Sequence, residues 1–256
     1  MSRIDQESKH QVEQIIRNIQ EDLRINAPQR NSDKVEWEKR IINPTDPKFI
    51  TYGLKVSQID KIVRSIVNEY DINFEEACEG FKLLMDTHNH DEKMAAISFI
   101  NRYKRHFNDY IVELYFQTLK NNCDTWAFCD SSMIKVLGPY LAKKGNKDLA
   151  NKIIEKWSKS SHLWVRRASM VIFLKITMIH KDFDIDLLHK LTERLLNDSE
   201  QYIQKGIGWM LKTCSKYKPK VIFKYLLKNR VRFTRATLRT ACEKLPDKLK
   251  NEILQN

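Results

Sequence analysis

Three short segments of the chain bring together residue types that could bind and act on a charged substrate. They read Asp124-Thr-Trp126-Ala-Phe-Cys-Asp130, Trp164-Val-Arg166-Arg167-Ala and Ile203-Gln-Lys205-Gly-Ile-Gly208-Trp209. Trp126 and Asp130 lie four positions apart, so both occupy one face of a helix. The segments therefore supply a carboxylate, indole rings and guanidinium groups, whose use depends on the elements that position them.

Other familiar catalytic motifs are missing from the sequence. It contains no G-x-x-x-x-G-K-[ST], G-x-G-x-x-G, H-E-x-x-H or G-x-S-x-G pattern, so we expect no nucleotide cofactor and no cofactor of another kind. One cluster, His88-Asn-His90-Asp91-Glu92, resembles a set of metal ligands. It lies between two predicted helices, and no further candidate ligands from elsewhere in the sequence accompany it. We therefore interpret it as a polar loop with a helix cap, and we expect no metal site.

Apolar residues recur with a period near 3.6 along nearly the whole chain, which predicts an all-α protein. One apolar stripe covers residues 12–23, and a second covers residues 59–70 behind a predicted N-cap at Ser57. Pro219 is placed to open another helix. Residues 26–56 contain three prolines and are predicted to form a loop or a subdomain junction. Polar capping residues predict further helix starts near Asn73, Asp91, Asn108, Asp124, Asn146, Ser161, Asp182 and Ser199.

A weak internal repeat of 38 residues predicts how the helices are arranged. The segment that begins at Ser161 matches the segment that begins at Ser199, and this offset places Trp164 on Tyr202 and Arg167 on Lys205. Helix pairs that repeat about every 40 residues are typical of HEAT-like α-solenoids. We therefore predict one domain over residues 1–256, built as an α-solenoid of antiparallel helix pairs. The helices that start near 124, 161 and 200 should line its concave face.

The positive charge of the chain is concentrated in one stretch. The net charge is +12, from 45 Lys and Arg against 33 Asp and Glu, and no acidic residue occurs between Glu200 and Glu243. A strongly basic chain is drawn to nucleic acid, to acidic proteins or to anionic membranes. A run of charges is often no more than a solvated helix face. Because no acid interrupts this one, we predict that it binds an anion and that the concave face is basic. The stretch contains Lys205, Lys212, Lys216, Lys218, Lys220, Lys224, Lys228, Arg230, Arg232, Arg235 and Arg239.

Composition excludes several classes of protein. Six glycines and six prolines are too few for a turn-rich β-sandwich or barrel. No apolar run reaches the 18 or so residues of a membrane span, and the first residues lack the apolar core of a signal peptide. The five cysteines form no C-x-x-C pair, so we expect reduced thiols. We therefore expect a cytoplasmic, nucleoid-associated monomer without membrane contact.

The three segments, taken in order, resemble a known family. Trp-x-x-x-Asp, then Trp-x-x-Arg-Ala, then Gln-Lys-x-Ile-Gly-Trp-x-Leu are similar to the bacterial HEAT-repeat DNA alkylation repair family, the AlkD-type alkylpurine DNA glycosylases. The resemblance is best over residues 110–228, and Tyr52-Gly53-Leu54 fits the first repeat of the family. A tyrosine that family members use near the lesion has no clear counterpart around Pro44–Tyr52.

The resemblance implies which residues act and on what. The functional positions of the family fall on Trp126, Asp130, Arg167 and Trp209, and the phosphate-side cation falls on Lys212. The implied partner is double-stranded DNA that contains purines alkylated at N3 or N7. Together with the charge pattern, the resemblance predicts DNA contacts from Arg166, Lys205, Lys212, Lys216, Arg230, Arg232 and Arg235.

The chemistry of the implied reaction suits these residues. An N3- or N7-alkylated purine carries a positive charge, so its glycosidic bond is weak and the leaving base needs no general acid. Asp130 would stabilise cationic character on the deoxyribose and position the attacking water. Trp126 and Trp209 would offer π-faces to the cations, worth about 0.5–2 kcal/mol each. Arg167 would bind the backbone phosphate. No lysine or amine is apparent beside Asp130, so the implied glycosylase is monofunctional.

Other interpretations stay open at this point. Each tryptophan could be a core residue, Asp130 a solvent-facing acid, and either Arg166 or Arg167 an ordinary surface charge. The chain as a whole could be a non-catalytic paralogue that recognises branched or bent DNA. It could also be a scaffold that binds an acidic protein along the solenoid. Release of 7-methylguanine from methylated DNA separates the glycosylase from both.

Overall fold

The computed structural model describes residues 6–255, and they form two compact units. The first unit ends at Val136 and the second begins at Leu137. Within residues 6–255 the regular structure is helical, apart from one isolated parallel bridge between Ile50 and Asn89. The predicted all-α class is therefore confirmed. None of the helices in this range is long and apolar enough to cross a membrane.

The first unit is built around a central helix that is buried on several sides. Its helices are α1 (Gln6–Ile25), α2 (Ser32–Ile42), α3 (Val56–Val67), α4 (Phe74–Met85), α5 (His90–Asn101), α6 (Tyr110–Asn121) and α7 (Trp126–Ser132). Helix α5 packs against α1, α3, α4 and α7. This position explains why α5 buries four ionisable residues in its first turn, His90, Asp91, Glu92 and Lys93.

Local sequence signals explain the helices of the first unit. The predicted stripe of α1 is buried, from Val12 to Leu23, and each fully buried aliphatic side chain contributes about 1.5–3 kcal/mol. The predicted cap at Asn73 is confirmed, since its side chain accepts the N–H groups of Glu75 and Glu76 at 2.8 and 3.0 Å. The predicted cap at Ser57 is wrong. Helix α3 begins at Val56, and the Gln58 side chain accepts the N–H of Lys55 at 2.9 Å.

The prediction for residues 26–56 is wrong in part, because α2 occupies the middle of this segment. Asn31 caps α2, and its side chain accepts the N–H of Lys34 at 3.0 Å. None of the residues of α2 is buried. A helix without a buried stripe shows little apolar periodicity, and the three prolines nearby favoured a loop.

The second unit contains two layers of helices. After a π-helical turn at Met133–Leu137 come α8 (Gly138–Leu141), α9 (Lys147–Trp157), α10 (Leu163–His180), α11 (Ile185–Leu195), α12 (Gln201–Tyr217), α13 (Pro219–Asn229), α14 (Arg235–Cys242) and α15 (Asp247–Leu254). Helices α8, α10, α12 and α14 pack side by side in one layer. Helices α9, α11, α13 and α15 cover them, in the helix-pair pattern that the repeat predicted. Pro219 is the first residue of α13, as predicted.

The 38-residue repeat appears directly in α10 and α12. Their first residues, Leu163 and Gln201, are 38 positions apart, and the matched rings of Trp164 and Tyr202 touch, with centroids 5.1 Å apart. Two glycines let α12 approach both neighbours. A Cβ on Gly206 would lie 2.6 Å from Met170 Cε of α10, and one on Gly208 would lie 3.0 Å from Thr240 Cβ of α14. Helix-interior glycine costs about 1 kcal/mol, which this close packing offsets.

Candidate active site and basic surface

A cavity of about 350 Å³ lies in the first unit, and two of the predicted site residues line it. These are Trp126 and Asp130, one helical turn apart on α7. The other walls come from α2, the loop 51–54, the start of α3 and the first turns of α5. The structure therefore brings the indole and the carboxylate of the first motif to one concave site.

The start of α7 explains how Trp126 and Asp130 are positioned. Thr125 is buried and caps the helix, since its hydroxyl accepts the N–H of Phe128 at 3.1 Å. Trp126 is half-buried, and its Nε1–H donates to the carbonyl oxygen of Ile41 at 3.1 Å. This bond fixes the indole plane against the last turn of α2. Asp130 is only 8% exposed, so its carboxylate acts where water screens charge weakly.

The loop at residues 51–54 is held in place by the buried carboxylate of Asp91. Its Oδ2 accepts the Thr51 hydroxyl at 2.5 Å and the Tyr52 N–H at 2.8 Å, and its Oδ1 accepts the Leu54 N–H at 2.9 Å. A buried carboxylate needs such partners to remain in the interior. Asp91 therefore builds one wall of the cavity rather than acting on a substrate.

This arrangement also explains the cluster that resembled metal ligands. The Asn89 side chain caps α5 and accepts the N–H of Asp91 at 2.9 Å. Glu92 accepts the Tyr52 hydroxyl at 2.9 Å, and Lys93 pairs with Asp124 at 2.7 Å. Burial and the Glu92 carboxylate raise the pKa of Tyr52 to about 12. Among residues 6–255 there is no group of three or more His, Cys, Asp or Glu side chains that could hold a metal ion. The predicted helix cap is confirmed at Asn89, but the predicted loop is wrong for His90, Asp91 and Glu92, which form the first turn of α5.

A buried ion pair ties α2 to the wall of the cavity. Arg30 pairs with Glu38, and their side chains are 10% and 14% exposed. Arg30 Nη2 also donates to the carbonyl oxygen of Thr51 at 2.6 Å. Its guanidinium passes across Gly53, whose φ is +80°, and a Cβ there would lie 2.5 Å from Arg30 Nη1. Only glycine satisfies both the positive φ and this close approach.

His90 lines the cavity, although the sequence singled it out only as a member of the cluster that resembled metal ligands. It is the first residue of α5, is 9% exposed and packs against the Phe49 ring, with centroids 5.8 Å apart. Its Nδ1 is buried and has no hydrogen-bond partner. Burial lowers the pKa of His90 below the usual value of 6.5, more than Asp91 and Asp124 raise it. His90 is therefore neutral at pH 7.

The outer face of α2 is a second feature that sequence reasoning missed. Trp37 is 53% exposed and Ile41, one turn later, is 43% exposed. The open depression around Trp37 is lined by two cations, Lys39 and Arg40, and by two acids, Asp33 and Glu36. A tryptophan and an isoleucine exposed together on one helix face are unusual for a surface that contacts only water. The signal was present in the sequence as a tryptophan between charged residues, but α2 itself was not predicted.

In the second unit, Arg167 is buried between α10 and α12. Its side chain is 5% exposed, and its guanidinium donates to the carbonyl oxygen of Tyr202 in the first turn of α12. Its Nη1 also lies beside Gly206, where a Cβ would come within 3.4 Å. The glycine in the third motif therefore makes room for the arginine of the second.

Arg166, the neighbouring candidate, has a different environment. Its Nε donates to Asp198 at 2.7 Å, and its Nη1 donates to the carbonyl oxygens of Ser160 and Ser161 at 3.0 and 2.7 Å. These bonds hold the turn before α10 against the end of α11. The two adjacent arginines thus stabilise different contacts: Arg167 joins α10 to α12, and Arg166 holds the turn before α10.

Trp209 lies in a stripe of cations along α12. Lys205, Trp209, Lys212 and Lys216 follow the spacing of one helix face. Trp209 is half-buried, whereas Lys205 and Lys216 are exposed. Their ammonium groups lie over the rings of Tyr202 and Tyr217, 5.9 and 5.5 Å from the ring centroids. We call this set the α12 stripe.

Acids from outside the basic run neutralise three of its members. Lys212 pairs with Glu243, just beyond the end of α14. Lys218 pairs with Asp182 at 2.5 Å. Arg232 makes a bidentate pair with Glu193, at 2.8 and 2.7 Å. These pairs could not be predicted from the sequence, because the acids lie outside the basic run.

The remaining cations of the run lie on different elements. Arg230 belongs to a 3₁₀ turn with Arg232, and Arg235 is exposed at the start of α14. A second exposed stripe, separate from the α12 stripe, follows α13 in the covering layer and consists of Lys220, Lys224 and Lys228. The basic stretch is therefore continuous in sequence and divided in space.

Comparisons with known proteins place these features in a family. The family model described as DNA alkylation repair enzyme matches residues 10–245. The chain is similar to the solved structure of a predicted DNA alkylation repair enzyme from Enterococcus faecalis, with a TM-score of 0.71, 19% identity, and coverage of 86% of this chain and 98% of that one. It is also similar to AlkD2 from Streptococcus mutans, with a TM-score of 0.54, 17% identity, and coverage of 84% and 99%. No curated protein matches the chain significantly.

At these identities the likeness to solved structures shows a shared fold. The family model adds a match that extends over most of the chain and includes the motifs of Trp126, Arg167 and Trp209. The chain therefore belongs to the DNA alkylation repair enzyme family.

Proposed function

We propose that this protein is a monofunctional DNA glycosylase that excises positively charged N3- and N7-alkylated purines from duplex DNA. It would hydrolyse the N-glycosidic bond and leave an abasic site. The observation that carries the proposal is that Asp130 and Trp126 line one cavity in a member of a DNA alkylation repair family. A carboxylate beside an indole is suited to a cationic lesion and to the cationic sugar that forms when the base leaves.

The environment of Asp130 supports its role as the catalytic residue. As the C1′–N bond breaks, positive charge develops on the deoxyribose. A carboxylate 4 Å away contributes about 4 kcal/mol of attraction at an effective dielectric constant of about 20. Because Asp130 is largely buried, bulk water screens this attraction only weakly. Trp126, held by its bond to Ile41, would present a fixed π-face.

In the second unit we assign contacts to the DNA backbone. Arg167 takes the phosphate contact that the family position implies, and Trp209 takes the second aromatic contact. Around Trp209 we assign phosphate contacts to Lys205, Lys212 and Lys216 of the α12 stripe, with a phosphate replacing Glu243 as the partner of Lys212. We assign further phosphate contacts to Arg230 and Arg232 of the 3₁₀ turn, where a phosphate replaces Glu193 beside Arg232, and to Arg235 at the start of α14. Arg166 supports the turn next to Arg167. Phosphate contacts of this kind set register and salt dependence rather than sequence preference.

Release of 7-methylguanine from methylated duplex DNA tests the proposal, with Asp130→Asn as the first variant. The amide keeps the shape of the side chain and removes its charge, so base release should fall to the uncatalysed background while DNA affinity stays within about twofold. The matched control is Asp86→Asn, an exposed residue at the end of α4. It should retain the wild-type rate.

Two outcomes would contradict the proposal, and a third would change its mechanism. Wild-type protein that releases no base above background would favour the non-catalytic DNA-binding paralogue, provided that it still binds branched or bent duplexes in a salt-sensitive manner. Wild-type protein that neither releases base nor binds DNA would favour the protein scaffold. An Asp130→Asn variant with full activity would remove Asp130 from the mechanism.

A further inference from the structure

We propose that His90 is the proton acceptor for the water that attacks the sugar. The inference rests on the glycosylase function proposed above and adds a second catalytic residue to that site. It starts from the placement of His90 on the wall of the cavity that Trp126 and Asp130 also line. The cavity of about 350 Å³ has room for several water molecules, so water can lie between its walls.

The two ring nitrogens of His90 have different environments. Nδ1 is sealed from solvent and has no partner within the described structure. Nε2 is therefore the nitrogen that can meet a water molecule in the cavity. For Nε2 to accept a proton, the neutral ring must carry its hydrogen on Nδ1, where that hydrogen has no acceptor. A buried polar atom without a partner is rare in proteins and marks a candidate functional site. The cavity that His90 lines also contains the candidate catalytic carboxylate of Asp130.

The charges around His90 keep it in the form that can accept a proton. Burial lowers its pKa below 6.5, and Lys93 acts in the same direction, while Asp91 and Asp124 oppose them. Other walls add the carboxylates of Glu38 from α2, which Arg30 neutralises, and of Asp130 from α7. Helix α3 contributes only the apolar Val56 and Ile59. A neutral imidazole can act as a general base at pH 7.

The proposed step balances as a simple hydrolysis. The C1′–N bond breaks, and its electron pair leaves with the purine, which becomes neutral. The water oxygen forms the new C1′–O bond and loses one proton. His90 Nε2 accepts that proton and later releases it to solvent. The Asp130 carboxylate stabilises the sugar cation throughout the step. No oxidant, reductant or cofactor takes part.

The pH dependence of base release tests the step without any substitution. Below the pKa of His90 the imidazolium cannot accept a proton, so the wild-type rate, corrected for the enzyme-free background, should fall up to tenfold per pH unit on the acid side. Because burial places that pKa below 6.5, the rate should be flat between about pH 7 and 8, and the acid limb is sought from pH 7 down to about pH 4. A wild-type rate that is constant over this whole range would overturn the inference.

The variant His90→Gln supplies the second test. Glutamine retains polar atoms but cannot take up a proton, so the rate at pH 7.5 should fall about 100-fold, at the lower end of general-base contributions. The acid limb should disappear with it. The control is His88→Gln, two positions earlier and exposed, which should keep both the rate and the profile.

The readouts distinguish catalysis from structure and from failure of the underlying function. If His90→Gln lowers the rate equally at every pH and keeps the acid limb, His90 is only structural and the inference is wrong. If wild-type protein is active and His90→Gln matches it, the inference fails while the glycosylase function stands. If wild-type protein releases no base, both fail together.

Discussion

At the residue scale, the first unit contains two buried carboxylates that line the same cavity and have different tasks. Asp91 is 1% exposed and is surrounded by donors from residues 51–54, so its charge serves to hold a loop. Asp130 is 8% exposed and follows Trp126 by one helical turn. Asp91 is therefore committed to the loop, whereas the position of Asp130 next to Trp126 on the cavity wall makes it the candidate catalytic carboxylate.

Trp37 is another residue whose contribution can be tested singly, because its side chain is exposed on α2, a helix that borders the cavity. We predict that Trp37→Ala weakens binding to alkylated duplex DNA about fivefold, since an aromatic contact with a base contributes about 1–3 kcal/mol. The free energy of unfolding should change by less than about 0.5 kcal/mol, as for other surface substitutions. Fluorescence anisotropy with a labelled duplex and urea unfolding measure the two quantities.

A matched substitution controls for the loss of exposed apolar surface. Ile25 is 68% exposed at the end of α1, and Ile25→Ala should leave the dissociation constant unchanged. If Trp37→Ala binds DNA as tightly as wild type, the outer face of α2 lies outside the DNA interface.

At the element scale, helix α2 depends on the loop that follows it. Helix α2 buries none of its own residues, so contacts from other elements must hold it in place. Arg30 supplies one by bridging Glu38 of α2 and the Thr51 carbonyl oxygen. Trp126 supplies another through the Ile41 carbonyl oxygen. The position of α2, and with it this wall of the cavity, therefore depends on the contacts of Arg30 and Trp126.

Gly53 is the position where this arrangement can be tested. A Cβ in Gly53→Ala would meet the Arg30 guanidinium and would force a non-glycine residue to a φ of +80°. Left-handed backbone costs about 1–2 kcal/mol, and displacement of Arg30 from Glu38 adds to it. We predict a loss of at least about 1 kcal/mol in the free energy of unfolding, measured with urea, together with slower base release.

Gly145→Ala is the corresponding control. A Cβ at Gly145 meets nothing within 4 Å, so stability and activity should remain close to wild type. A Gly53→Ala variant that is as stable as wild type would show that neither the positive φ nor the Arg30 contact matters to the fold.

At the scale of the whole molecule, the net charge of +12 is less uniform than the sequence suggests. Ion pairs neutralise Lys212, Lys218 and Arg232. The exposed cations that lack an acidic partner within residues 6–255 include two groups on different helices. One is Lys205 and Lys216 of the α12 stripe, and the other is the α13 stripe of Lys220, Lys224 and Lys228. Electrostatic attraction to DNA depends on which of these stripes meets the phosphates.

The dependence of DNA affinity on salt identifies that stripe. We predict that Lys216→Ala, on the α12 stripe, reduces the slope of log K against log salt concentration by about 0.9, the contribution of one neutralised phosphate. Lys224→Ala removes an equally exposed lysine from the same basic run on α13 and should leave the slope unchanged. Binding titrations at four or more salt concentrations give both slopes. An equal reduction in both variants would assign phosphate contacts to both helices.

The sequence by itself determined the features that depend on neighbouring residues. Caps such as Asn73, the buried stripe of α1, Pro219 at the start of α13 and the 38-residue offset of α10 and α12 were all predictable. Each arises from interactions within one helix or from a repeat visible along the chain. The pairing of Trp126 with Asp130 belongs here too, because spacing of four residues on a helix brings side chains together.

Only the tertiary structure decided the features that join distant segments. His90 and Asp91 come from α5, Glu38 from α2 and Asp130 from α7, and packing of these helices makes them neighbours of one cavity. The division of the basic run has the same origin, since Glu193 and Glu243 reach its cations from other helices. Local propensity carries no information about such pairs. They form because burial of apolar faces fixes which helices touch, and charged side chains then find partners across those contacts.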